Sequence, residues 1–157
     1  MPGIGATRAT PGLLATTRNA SLWVRRAGGP GYDTARGVAL DANGNIFVAG
    51  GFEGEAAFDA STTLTNTSPT SFADAFLTKF DPAGNLLWAR AAGVDQAHDE
   101  ATAVAVDGAG NAVITGRGAL DTFAGVTVAN TGRIFVAKYS AAGAEVWRRE
   151  ALTLGAC

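Results

Sequence analysis

Apolar and polar positions along this chain alternate with a period of two, in short runs separated by small polar clusters. "GVALD" (37–41) and "NIFVAG" (45–50) show the pattern, with β-branched and aromatic residues at alternate places. A period of two puts alternate side chains on opposite faces of a strand, so each run predicts a half-buried strand. The runs predict strands at about 35–41, 45–52, 75–80 and 86–93, then at 101–107, 111–117, 133–139 and 144–150. No stretch shows a sustained period of 3.6, so the expected class is all-β.

The clusters between strands repeat. "DANGN" (41–45), "DPAGN" (81–85) and "DGAGN" (107–111) are one phrase, and "SAAGA" (140–144) is a variant with Ser for Asp. A type I turn closed by a residue in the left-handed region needs this arrangement. The Asp accepts bonds from turn amides, and the Gly takes positive φ without a Cβ clash. Positive φ is therefore expected at Gly44, Gly84, Gly110 and Gly143. A calcium-loop reading of "DANGN" fails, because its Gly is the fourth residue rather than the sixth and its twelfth position is Phe52.

The repetition extends to whole hairpins. Residues 33–52 overlie 99–118 at an offset of 66, matching Asp33 with Asp99, Asp41 with Asp107, Asn45 with Asn111 and Gly50 with Gly116. Residues 75–93 overlie 134–152 at an offset of 59, matching Phe76 with Phe135, Lys79 with Lys138 and Trp88 with Trp147. Two hairpins make a four-stranded antiparallel unit, and units repeating along a chain are the mark of propeller blades. The unequal offsets are absorbed by loops.

The predicted organisation follows. Residues 1–20 form a degenerate or disordered N-terminal segment, 21–34 the outer strand of a preceding blade with a linker, 35–93 blade 1, and 94–157 blade 2 with a tail. Trp23 sits where Trp88 sits, which is what marks 21–29 as a fourth strand. The Thr/Ser-rich connection 53–73 is expected to be a surface loop with a short β-excursion around Thr62–Leu64.

Composition narrows the function classes. The 157 residues suit one domain, and 21 glycines with 17% charged residues suit short strands and tight turns. Net charge is −2 and the basic residues are scattered, so nucleic acid is not an expected partner. Cys157 is the only cysteine, which excludes an internal disulfide and a cysteine zinc set. No run reaches the apolar length of a membrane-spanning helix, and the N-terminal stretch lacks the apolar core of a secretory signal.

"W-x-R-x-x-G-G" (23–29), "DTARGVALDANGNIFVAG" (33–50) and "DAFLTKFDPAGN" (74–85) resemble the bacterial SBBP repeats, the seven-bladed β-propeller type. The resemblance runs from residue 21 to 150, with Arg133 standing where the first unit has Asp74. It implies a propeller in an exported or cell-surface bacterial protein and implies no catalytic residues. The units present amount to two blades plus a strand, which do not close a ring by themselves.

Candidate chemistry is sparse. "DQAHDE" (95–100) holds the only histidine, and Asp95, His98, Asp99 and Glu100 form the candidate ligand-binding group. A general-base role for His98 is weighed against Asp99 repeating Asp33, which points first to a structural duty. Trp23, Trp88 and Trp147 share one register; repetition at one blade position favours packing between blades over a sugar-stacking platform. Lys79 and Lys138 are read as structural ion-pair or snorkelling lysines.

The sequence therefore predicts a non-enzymatic propeller segment, without metal or cofactor. It would act as a structural or binding module of a larger bacterial surface or secreted protein. Its expected partners are neighbouring blades or other copies of the chain, with a protein or carbohydrate as the ligand class. The rivals are a two-blade lectin that closes its ring by oligomerising and an enzyme using the channel of such a ring. Two uncovered end faces, and a surplus strand at 21–29 competing with 144–150, predict that the isolated chain is aggregated, partly folded or heterogeneously associated.

Overall fold

The computed structural model describes residues 23–66, 72–93, 98–118 and 134–150. Two antiparallel four-stranded sheets make up most of it. The first contains β1 (Thr34–Leu40), β2 (Ile46–Phe52), β5 (Asp74–Phe80) and β6 (Leu86–Ala92), in that spatial order. The second contains β7 (Glu100–Val106), β8 (Ala112–Arg117), β9 (Ile134–Tyr139) and β10 (Glu145–Glu150), in order of sequence. Each is a meander, as the hairpin repeat predicts, and each strand begins and ends within about a residue of its expected place.

All four turn glycines have positive φ: 78° at Gly44, 82° at Gly84, 78° at Gly110 and 80° at Gly143. Their amides donate back to the first residue of each turn, Asp41, Asp81, Asp107 and Ser140, at 2.8–3.0 Å. In blade 1's first turn Asp41 Oδ1 accepts from the amides of Asn43 and Asn45, both at 2.9 Å. Its other oxygen accepts from the Asn45 side chain at 2.7 Å. The Ser variant keeps one such bond, Ala144 N to Ser140 Oγ at 3.1 Å. Innermost strands β1 and β7 carry matching bulges, at Ala35–Gly37 and Ala101–Ala103. Opposite them stand Gly50 and Gly116, where a Cβ would run into the carbonyl of Thr34 or Glu100.

The sheets stack face to face. Phe47, Ala49, Ala75, Leu77 and Ala92 of the first meet Ala101, Ala112, Ile114, Phe135, Ala137 and Tyr139 of the second in one buried cluster. Small residues let the backbones approach: a Cβ on Gly37 would lie 3.1 Å from Ala103 Cα. Strand β5 is buried on both faces along its whole length.

Two expectations are corrected. The described parts of the connection 53–73 pack rather than lying free on the surface, with a strand where the β-excursion around Thr62–Leu64 is expected. They form a hairpin, β3 (Glu55–Ala57) and β4 (Thr63–Thr65), that buries Ala56 and Phe58 against Phe52, Phe76 and Ala89. The driving force is burial of Phe58, whose ring lies 5.1 Å from that of Phe76. Residues 23–29, expected as a strand, make one isolated bridge, Gly28 to Ala57, and no ladder among the described residues. A fourth strand needs the third strand of its own blade beside it, and the chain here passes beside β3 instead. The expected N-terminal segment 1–20 and Arg133 lie outside the described residues.

Candidate functional site

The polar group of the sequence divides on inspection. Asp95 lies outside the described residues. His98, Asp99 and Glu100 sit together where the chain enters β7. His98 Nδ1 accepts from the Ala73 amide at 3.3 Å, and the Asp99 amide donates to Ala73 O at 2.7 Å. Both bonds tie the start of the second blade to the approach to β5. Asp99 is fully buried, with its carboxylate against Gly118, whose φ is 142°.

Glu100 spans the two blades. Its Oε1 accepts from Thr34 Oγ1 at 2.9 Å and from Arg36 Nε at 2.8 Å, and Arg117 lies 3.4 Å from Oε2. Burial pushes this carboxyl up. The bonds from Arg36 and Thr34 and the nearby guanidiniums outweigh that and hold it below the ordinary carboxylate range. This contact was not legible in the sequence, because Thr34 and Arg36 are 66 and 64 residues away.

The tryptophans do different work. Trp88 Nε1 donates to Ala141 O at 3.1 Å, and the ring covers Gly143, where a Cβ would lie 2.8 Å from the indole. Arg90 Nε donates to Gly143 O at 2.7 Å, and its guanidinium stands 5.7 Å from the Trp88 ring. Phe47 meets the same indole edge-on at 5.9 Å. Residues 23–25 repeat the arrangement one blade earlier. Trp23 Nε1 donates to Pro82 O at 3.0 Å, Arg25 Nε donates to Gly84 O at 2.7 Å, and a Cβ on Gly84 would lie 2.6 Å from the Trp23 ring. In each case a Trp-x-Arg pair grips the turn of the blade that follows it in the chain. The spacing is visible in the sequence, but what the Arg grips is not.

The repeated lysines also serve the turns. Lys79 Nζ is 3.3 Å from Asp41 Oδ2, 3.4 Å from Ala141 O and 4.8 Å from the centre of the Phe47 ring. Lys138 pairs with Asp107 at 2.9 Å. The Asn45 side chain first, with turn amides and Lys79, lowers the Asp41 carboxyl to about 2 despite its burial. Asn111 and then Lys138 depress Asp107 in the same direction.

Between residues 23–28 and the outer face of blade 1 lies a cavity of about 290 Å³, lined by Val48, Phe52, Phe58, Phe76 and Phe80. Its walls are mostly apolar, with Arg25 and Asp33 the charged residues among them. Among the described residues, no group of three or more His, Cys, Asp or Glu could hold a metal ion.

The family model for a beta-propeller repeat, SBBP, matches residues 22–50. Residues 22–50 are thus similar to an SBBP propeller repeat. The matched stretch runs from the Trp23 grip through β1 and the Asp41 turn to β2, so it includes residues that make contacts within and between blades in this chain. No curated protein matches the chain. Among the described residues, no helix is long and apolar enough to cross a membrane.

Proposed function

We propose that this chain is a non-enzymatic propeller segment, a structural or binding module of a larger bacterial surface or secreted protein. One observation carries the reading: the polar and aromatic residues that repeat with the blade, and Glu100 beside them, are spent on contacts within and between blades. Trp23, Trp88, Arg25 and Arg90 grip turns; Lys79 and Lys138 neutralise turn aspartates; Glu100 bridges β1 and β7. A lectin would display repeated aromatics on loops, whereas here they sit on or beside strands, and Trp23 and Trp88 pack on turn backbone. His98 has a backbone amide as its partner rather than a nucleophile. Any ligand, protein or carbohydrate, would meet the loops on the side of His98 and Asp99, away from the tight turns.

The test is a broad panel of hydrolase, lyase and redox substrates with the purified chain and its His98→Ala variant. No turnover is expected from either. Activity in the parent chain that His98→Ala abolishes would reverse the reading.

A further inference from the structure

The face of blade 1 that points away from blade 2 is covered by the chain itself. Residues 23–28 cross it, bridged through Gly28 to Ala57, and the hairpin β3–β4 lays Phe58 against Phe76. The cover is incomplete. Beneath it remains the cavity of about 290 Å³, walled by Val48, Phe52, Phe76 and Phe80. A cavity of about 150 Å³ lined by comparable side chains stays dry and binds benzene. Twice that space suits an apolar body of about ten carbon atoms and leaves no room for a folded partner.

Of the polar side chains in that wall, all but one are spent. The Trp23 indole donates to Pro82 O, the Thr34 hydroxyl to Glu100 Oε1 at 2.9 Å and the Thr78 hydroxyl to Val48 O at 3.3 Å. Asp33 Oδ2 accepts from the Gly29 amide at 2.7 Å, and its Oδ1 is buried out of reach of water. Arg25 differs. A guanidinium has five N–H donors, and this one uses Nε on Gly84 O and, weakly at 3.4 Å, Nη2 on Asn85 Oδ1. Neither Arg25 nor its exposed neighbour Arg26 is paired with a carboxylate among the described residues, whereas Arg36, Lys79 and Lys138 are. A second groove of about 520 Å³ adjoins the cavity; both have Arg25, Phe58 and Phe80 in their walls, and the groove adds Arg26. The one carboxylate of that groove, Asp59, is held by its own turn, accepting from the Ser61 and Thr62 amides at 2.8 and 2.7 Å.

We propose that this cavity binds a medium-chain organic acid. The apolar chain lies between residues 23–28 and the even-numbered side chains of β2 and β5, and the carboxylate sits on Arg25 with Arg26 beside it. The apolar walls select the chain by burial, and the free N–H groups of Arg25 select the head, since a planar guanidinium matches a carboxylate with paired bonds. Asp33, in the same wall, repels an anion and so turns the head toward Arg25. The loops beside His98 and Asp99 take no part, so loss of this binding leaves the structural role of the segment untouched.

Titration calorimetry with straight-chain acids, decanol and decylamine, each below its aggregation concentration, tests it. One decanoate per chain is expected. Affinity should rise from hexanoate to decanoate by up to about fourfold per methylene and stop rising by tetradecanoate, once the cavity is full. Decanol should bind about tenfold or more weakly, for want of charge-assisted bonds. Arg25→Gln with Arg26→Gln should bring decanoate down to the level of decanol and leave decanol unchanged. Ala35→Phe, at an exposed position of the wall, should abolish binding of both by filling the space. Circular dichroism checks folding. If Arg25→Gln loosens the turn it holds, Arg25→Lys keeps the charge without the planar fork and should weaken decanoate binding severalfold while sparing decanol. No binding of decanoate up to millimolar, decanol or decylamine binding as tightly as decanoate, affinity that keeps rising through tetradecanoate, or binding indifferent to Ala35→Phe would each overturn the proposal.

Discussion

At the residue scale, the turn glycines carry two separate demands that can be measured apart. Gly44 and Gly110 need positive φ, and the nearest atom to an added Cβ is 3.5 Å away in both. Gly84 and Gly143 need the same φ and also lie under a tryptophan ring, at 2.6 and 2.8 Å. Ala at either of the first pair should cost about 1 kcal/mol, the ordinary penalty for a side chain in that region. Ala at either of the second pair should cost about 2–4 kcal/mol, because the indole must move off the turn. Chemical denaturation of the four variants checks the ranking; equal losses would separate the rings from the turns. Acid gives a second test. The Asp41, Asp81 and Asp107 carboxyls are all depressed, so their stabilisation is present above the unfolded carboxylate value. It is lost as pH falls through the folded values, which for Asp41 means from about 4 down to about 2. Denaturation midpoints should fall across that window. Asp41→Asn should be less stable at neutral pH and lose less on acidification.

At the element scale, the outer strands differ by what faces them. Trp88 on β6 touches Phe47, Ala141 O and Gly143, whereas Trp147 on β10 is one-third exposed. Trp88→Ala should cost about 3 kcal/mol, near the lower end for removing a packed aromatic. Trp147→Ala should cost under about 1 kcal/mol in dilute chain, as expected of a surface substitution. Thermal melts at low concentration measure both, and a large loss at Trp147 would mean that something covers it. The lysines follow the same logic. The Lys79 side chain is 8% exposed because blade 2 lies over it, and that of Lys138 is 27% exposed.

At the scale of the whole molecule, the two blades share one core. Phe47, Leu77, Ile114 and Phe135 belong to a single buried cluster, and Glu100 ties the innermost strands together with Thr34 and Arg36. Neither sheet keeps its faces covered without the other. Unfolding is therefore expected as one transition, with tryptophan fluorescence and far-ultraviolet dichroism coinciding. Two separated transitions would show that the blades stand independently. Net charge of −2 gives little repulsion to oppose contact between copies.

By itself the sequence determined the strands, the turn type, the positive φ of four glycines and the pairing of hairpins into blades. Each of these is local: alternation fixes which side chain faces which side, and an Asp with a Gly three residues later fixes the turn. It also disclosed that Trp23, Trp88 and Trp147 share a register, and that Lys79 and Lys138 do. What those residues touch was decided only by tertiary structure, because their partners lie 31 to 62 residues away along the chain. The fate of the connection 53–73 was settled there as well. Its composition reads as loop with one short β-excursion, yet Phe58 found a buried partner in Phe76 and the described part of the segment folds as a hairpin. The same holds for 23–29, whose strand-like residues make one bridge and no ladder among the described residues. Period and turn chemistry are written residue by residue, whereas a face is completed only by whatever stacks upon it.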